Sequence, residues 1–310
     1  MFTLAHLSDP HLGPLPRPGI AQLVGKRVTG FLSWTLQRRA IHEGPVLGLL
    51  AADLKAKAPD HVAVTGDIIN IALPDEFTQA RAWLHSLGAP ASVTVVPGNH
   101  DAYVRVPWER ACGLWTEFMT GSDGGDDGNG ERPVASAVDF PFVRRRGPVA
   151  LVGVSTALPM PPFSAAGKLG PRQLELLQQQ LTELGREGLF RIVLIHHPPY
   201  DGKAPRRKRL HDSAALQQVI AAAGVELILH GHTHRSGLTK LATPNGAAPV
   251  IGVPSASARK DHHGKGHGQY HLYAIERDGN GWRLTVEVRG VAPSLDHFVR
   301  EGRFTLAIPQ

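Results

Sequence analysis

Five short apolar, β-branched runs, each breaking off into Asp, Asn or His, constrain this chain more than any other feature. They are Thr3 to Ser8, His61 to Thr65, Val93 to Val96, Arg191 to Ile195 and Val225 to Leu229. Near-continuous apolar runs of this length fit strands buried on both faces. Helical patterns lie between them at Val46 to Lys57, Asp75 to Leu87 and Pro171 to Leu184. In the last, Pro171 suits the first turn, and Leu174, Leu177, Leu181 and Leu184 share one face. Strands alternating with helices predict a layered α/β fold.

The runs end in Asp9-Pro10-His11, Gly66-Asp67, Gly98-Asn99-His100-Asp101, His196-His197-Pro198-Pro199 and His230-Gly231-His232-Thr233-His234. Strands this apolar do not tolerate ionisable groups along their length, and ligands of open α/β sheets bind where the strands emerge. Asp9 and His11 are two residues apart, as are His232 and His234, so extended geometry would turn each pair to one side. Imidazole with carboxylate suits zinc, iron or manganese. Seven potential ligands are more than one ion needs; two ions sharing a bridging carboxylate would use them all and could clamp an in-line phosphoryl displacement. Gly66, Gly98 and Gly231 stand where a Cβ would obstruct a tight turn beside a ligand.

Seventeen histidines in 310 residues are an excess for which such a site accounts in part. The single cysteine, Cys112, excludes an intrachain disulfide and a thiolate-rich metal site. Met1 to His6 runs straight into the first strand without the pattern of a signal peptide, and no stretch of about 18 apolar residues occurs. These features predict a cytoplasmic chain. The last third reads as strands at Pro249 to Val253, Gln269 to Glu276 and Trp282 to Val288, with a hairpin at Asp278-Gly279-Asn280-Gly281. It is expected to supply a second sheet.

The ordered set Asp9-X-His11, Gly66-Asp67, Gly98-Asn99-His100-Asp101, His196-His197-Pro198-Pro199 and Gly231-His232-Thr233-His234 resembles the calcineurin-like metallophosphoesterases. It is closest in motif to their bacterial cyclic-nucleotide and glycerophosphodiester phosphodiesterases. The resemblance implies a β-sandwich of two mixed sheets flanked by helices, with a dinuclear metal site at the strand ends. It implies one domain over residues 1–310, with a candidate helical insertion at 14–41 and a strand-rich part at 245–310. Asp9, His11 and His234 would hold one ion, and Asn99, His196 and His232 the other, with Asp67 bridging. The ions would be manganese, iron or zinc, and a hydroxide between them would be the nucleophile. His100 would steady the phosphate or protonate the leaving alkoxide, and Asp101 would orient His100.

The net charge of +6 comes partly from two basic runs, Arg144-Arg145-Arg146 and Arg206-Arg207-Lys208-Arg209. The second follows His-His-Pro-Pro and is expected to overhang the site, where it would concentrate an anionic substrate. No interleaving of aromatic and basic residues points to a nucleic-acid partner. Ile20, Leu23, Val24, Val28, Phe31, Leu32 and Thr35 fall near one helical face, beside Lys26, Arg27, Arg38 and Arg39. Residues 20–41 therefore read as a lid or packing element, or as a basic amphipathic helix on an anionic membrane at the inner face. Residues 121–130 read as a surface loop. His262-His263-Gly264-Lys265-Gly266-His267 reads as a solvated loop or one that touches substrate. The expected function is hydrolysis of a small cyclic nucleotide or glycerophosphodiester. Alternatives are a lipid-linked phosphoester or diphosphate as substrate, or a non-catalytic scaffold of the same fold. One branch of the family cleaves a lipid A precursor diphosphate and carries Arg where this chain has His100.

Overall fold

A computed structural model describes residues 1–42, 44–121, 132–136, 139–202, 204–259 and 266–309. The strands are β1 (Phe2–Leu7), β2 (His61–Val64), β3 (Val93–Val95), β4 (Thr120–Gly121), β5 (Arg132–Pro133), β6 (Phe142–Arg146) and β7 (Val149–Gly153). They continue as β8 (Phe190–Leu194), β9 (Leu227–His230), β10 (Gly237–Thr243), β11 (Gly246–Gly252), β12 (Gln269–Asp278), β13 (Gly281–Val291) and β14 (Phe298–Ile308). The α-helices are α1 (Lys26–Leu36), α2 (Gly44–Lys57), α3 (Pro74–Leu87), α4 (Pro171–Arg186) and α5 (Ser213–Ala223).

Two six-stranded mixed sheets carry the fold, in the orders β14-β13-β12-β1-β2-β3 and β10-β11-β9-β8-β7-β6. The strands β1, β2 and β3 run parallel in the first, and β7, β8, β9 and β11 run parallel in the second. The five apolar runs are thus divided between both sheets. The central strands of the second sheet serve two cores by alternation. Val149, Leu151, Ile192, Leu194, Leu227 and Leu229 pack in the core shared with the first sheet. Ala150, Val152, Val193, Ile195 and Ile228 pack on the other side with Leu177, Leu181 and Leu184 of α4 and Leu216 and Ile220 of α5. Burial on both faces explains why these strands lack a polar alternation.

The strand-rich tail departs from expectation. It does not form the second sheet: β12 pairs antiparallel with β1, so β12, β13 and β14 extend the first sheet, while only β10 and β11 join the second. The hairpin at Gly279-Asn280 closes as read, with Asp278 opposite Gly281. The run Arg144 to Arg146 lies in β6 as structural anchors. The Arg144 guanidinium is buried and donates to the carbonyls of Val93 and Pro90, Arg145 pairs with Glu187, and Arg146 donates to Ala91. Residues 122–130 of the glycine-rich loop and His262, His263 and Lys265 lie outside the described residues. His267 Nε2 donates to Glu301 Oε1 at 2.5 Å. No described helix is long and apolar enough to cross a membrane.

Several histidines are sheet-core residues. His61 bonds Thr94 Oγ1 at 2.7 Å, and burial with Arg144 and Arg146 nearby lowers its pKa to about 2. Burial lowers that of His271 to about 4. Because both folded values lie below the unfolded value near 6.5, the unfolded chain takes up more protons as pH falls. Their stabilisation is complete above about pH 6.5 and is lost as pH falls toward the folded values. Between pH 6.5 and 5 each should cost about 1–2 kcal/mol. Thermal melts with chelator across this range should show the loss, and His271→Phe should flatten the slope relative to the parent.

Candidate metal centre

Backbone geometry at the strand ends is unusual. Asp9, His11, Asp67, His232 and His234 all have φ between 40° and 66°. Such left-handed conformations cost about 1–3 kcal/mol each and gather at functional sites. They also correct the expectation that each His or Asp pair converges by strand alternation: the pairs converge because the chain leaves the strand through left-handed turns.

The turns bring two donor groups together. In the first, His234 Nε2 stands 3.1 Å from Asp9 Oδ1 and 3.3 Å from His11 Nε2. His11 Nε2 lies 3.9 Å from Asp9 Oδ1 and 4.0 Å from Asp67 Oδ2. In the second, Asn99 Oδ1 lies 3.2 Å from His196 Nε2 and 2.9 Å from His232 Nδ1, and His196 Nε2 is 3.3 Å from Asp67 Oδ2. Asp67 Oδ2 therefore faces both groups. Orienting contacts lie behind the rings: His196 Nδ1 meets Thr65 O at 2.6 Å and His232 Nε2 meets Lys208 O at 2.8 Å, leaving the opposite nitrogens for the site. His197 turns away, with its ring nitrogens on Thr156 Oγ1 and Ala165 O. His230 is buried against Tyr200.

The charge balance suits a cation. Burial raises the Asp67 pKa, but the His196 and His100 rings outweigh it and hold the carboxyl at about 2. Asp9 is likewise lowered below the carboxylate range, by His234 against the effect of burial. Burial keeps His11 and His232 neutral, and a neutral imidazole is the ligating form. Among the described residues, buried Asp9 Oδ1 accepts no hydrogen bond. An orphan carboxylate oxygen beside neutral imidazoles fits a divalent ion in the first group. In the second, burial lowers the His196 pKa but the Asp67 carboxylate outweighs it and raises it to about 9, a positive charge that a bound ion would replace. Gly98 is required here, since a Cβ would collide with the Asp67 carboxylate and amide.

Asp101 does not reach His100 as expected. Its carboxylate accepts from the backbone N–H groups of Asp67, Ile68, Ile69 and Gly98 at 2.8–3.1 Å. Glu76 accepts from Asn70, Ile71 and Leu73 at 2.7–3.2 Å. Two buried carboxylates thus clamp the loop that presents Asp67, and burial beside Asp67 pushes Asp101 up to about 7. His100 is set by Asp67 Oδ1, which accepts its backbone N–H at 2.6 Å, and by Asn70 O, 2.5 Å from Nδ1.

The sequence motifs miss four residues around the site. His42, bonded to Ser257 through Nδ1, has a ring nitrogen within 4.8 Å of donors on His11 and His234. Tyr103 stacks on His100 at 5.4 Å, with the Lys26 ammonium 4.3 Å from its ring centroid. The Arg38 guanidinium lies 3.0 Å from His11 Nδ1 and 3.3 Å from His100 Nδ1. The only signal for Lys26 and Arg38 was the positive charge of residues 20–41. Both line the ≈ 550 Å³ cavity that holds Asp67, Asn99, His100 and His232.

Paired mixed sheets with a His, Asp and Asn cluster at the strand ends define a metallophosphoesterase architecture. The family model described as calcineurin-like phosphoesterase matches residues 2–236, and the chain belongs to that family of phosphoric ester hydrolases. A probable cyclic nucleotide phosphodiesterase of Synechococcus is 27% identical over 245 residues, 78% of this chain and 82% of its own length. A glycerophosphodiester phosphodiesterase of Enterobacter lignolyticus is 31% identical over 142 residues, 46% of this chain and 42% of its own. The fold also matches a dimetal phosphatase from Danio rerio at a TM-score of 0.62 and 14% identity, over 96% of this chain and 98% of that one.

Proposed function

We propose that the chain is a dinuclear-metal phosphodiesterase acting on a cyclic nucleotide or glycerophosphodiester. The observation that carries this reading is the placement of one carboxylate oxygen, Asp67 Oδ2, toward both donor groups. The names of the Synechococcus and Enterobacter relatives supply the substrate class. Asp9, His11 and His234 would hold one ion and Asn99, His196 and His232 the other, with Asp67 shared. Imidazole, carboxylate and amide donors suit manganese, iron or zinc. Bound ions supply Lewis-acid polarisation and an activated water.

The chain's own residues do the rest. Asp67 and Asn70 fix His100 through its backbone N–H and Nδ1, which aims Nε2 at the cavity. From there it is placed to move a proton at the leaving oxygen. Arg38, a permanent cation 3.3 Å from His100 Nδ1 in the cavity lining, is placed for a non-bridging phosphate oxygen. Arg38→Gln should raise KM by about 10- to 100-fold, the loss of a charge-assisted pair, with metal content unchanged. Steady-state kinetics with metal analysis checks it.

Purified protein with manganese should hydrolyse bis(p-nitrophenyl) phosphate faster than the monoester. No turnover of either would sink the phosphodiesterase reading. A second reading, a lipid-linked phosphoester as substrate, is favoured by the exposed aliphatic side chains on α1.

A further inference from the structure

The insertion is amphipathic in the reverse sense for a surface helix. The single helix expected over residues 20–41 is divided: a 3-10 turn at Ile20–Gln22, Gly25 at φ +58°, α1, and a second turn at Arg38–Ala40. A surface helix ordinarily buries its apolar stripe and shows its polar one to water. Here Lys26, Thr29, Ser33 and Gln37 face the active-site cavity. Arg27 donates to the carbonyls of Ile71 and Ala72, and Lys26 to Ser164. Gly30 permits the approach: a Cβ there would lie 2.6 Å from the Tyr103 hydroxyl. Of the four charges beside the apolar positions, Lys26, Arg27 and Arg38 are turned inward and Arg39 stays exposed.

The aliphatic residues are left outside. On α1, Val28, Leu32 and Leu36 recur at every fourth position and are 41%, 52% and 77% exposed, and Ile20 and Val24 in the segment before it are 94% and 61% exposed. Phe163, 80% exposed, stands at the cavity mouth. Basic residues frame this surface. Arg17 and Arg39 are exposed at the insertion, and Arg206, Arg207 and Lys208 lie next to Phe163, since Ala165 N–H donates to Arg207 O at 2.9 Å. An apolar ridge with a cationic border, at the entrance to a phosphoester site, has the chemistry of a bilayer contact: aliphatic groups in the acyl boundary and cations on lipid phosphates.

We propose that this face docks the enzyme on an anionic lipid bilayer, with the active-site mouth toward the lipid surface. A second copy of the chain fits less well. A two-fold contact sets a patch against itself, which would place the arginine border against its own like charges. The proposal goes beyond the hydrolytic reading, because docking requires neither metal nor turnover.

The test is co-sedimentation of the full chain with phosphatidylcholine–phosphatidylglycerol vesicles, compared with phosphatidylcholine alone and with high salt. The parent should bind the mixed vesicles and lose binding in salt. Replacing Ile20, Val24, Leu32 and Leu36 together with Gln should lower binding by about tenfold or more, while hydrolysis of soluble bis(p-nitrophenyl) phosphate stays at the parent rate. Should the quadruple variant fold poorly, the pair Ile20→Gln and Leu36→Gln alters the two most exposed of these positions and should still lower binding by about threefold. A parent that stays in the supernatant would overturn the proposal, as would binding that survives loss of these side chains. A concentration-dependent dimer dissolved by the same substitutions would overturn it too. A parent that binds vesicles yet hydrolyses no diester would leave docking standing and remove the phosphodiesterase reading alone.

Discussion

Asp67→Asn is expected to lower turnover of a diester by about 10³-fold or more, some 4 kcal/mol of barrier, and to reduce bound metal below the parent's stoichiometry. The reason is the position of the carboxylate between two donor groups, each of which has only one other full negative charge nearby or none. The first group contains Asp9; the second has only the neutral amide of Asn99 beside two imidazoles. Asparagine keeps the shape and tolerates the left-handed φ of 54° at this position, so the Asp101 clamp on the backbone remains available. Chelator-treated variant should melt cooperatively and only modestly below chelator-treated parent, since the carboxylate it loses is held in its charged form by the His196 ring. Metal analysis, kinetics and the melt together separate a ligand lost from a fold lost. Full metal occupancy with near-parental turnover would show that Asp67 is not shared.

Much of the fold was legible because burial leaves a trace in residue type. The strands β1, β2, β3, β8 and β9 are apolar along their length, and each lies within two residues of its expected bounds. The helix α4 begins at Pro171 as read. The edge strands were not legible, since one-sided burial gives them no apolar run. In β14, exposed Arg300, Glu301 and Arg303 stand among partly buried neighbours, charges that protect an exposed edge from pairing. In β6, three arginines read only as a basic run, because nothing local announces that the first will be buried against backbone carbonyls.

The same distinction holds at the site. Residues that must follow a strand directly, such as Asp9, Asp67, Asn99 and His232, stand in short motifs. Residues that arrive from a distant segment carry no spacing signal: Arg38 and His42 reach the cavity from an insertion, and Glu76 reaches the Asp67 loop from the first turn of α3. Asp101 was singled out by its motif, but its role lies with the N–H groups of a loop over 30 residues earlier, a partner that only the fold supplies.

His100→Ala is expected to lower kcat by about 10²- to 10⁴-fold, the range for a positioned acid or base, with both metals retained. Its imidazole has a nitrogen within 4.8 Å of donors on His11 and Asp67, but it is not needed to complete either donor group. Nδ1 is taken by Asn70 O, and the ring is held between Tyr103 and the edge of His11, with centroids 5.4 and 4.9 Å away. Burial, with Arg38 beside it, lowers its pKa to about 3, so the resting ring is neutral with the proton on Nδ1. An Nε2 in this state accepts; it becomes a donor only when an anionic phosphate offsets Arg38 and the ring takes up a proton from solvent, which it then passes to the leaving oxygen. That requirement makes leaving-group dependence the informative measurement. A diester that releases an alkoxide needs a proton at the leaving oxygen, whereas p-nitrophenolate departs without one. The alanine variant should therefore lose far more activity on an alkyl diester than on bis(p-nitrophenyl) phosphate. Equal losses on both would assign His100 to holding the phosphate, and loss of metal would place it among the ligands, a position its bond to Asn70 argues against.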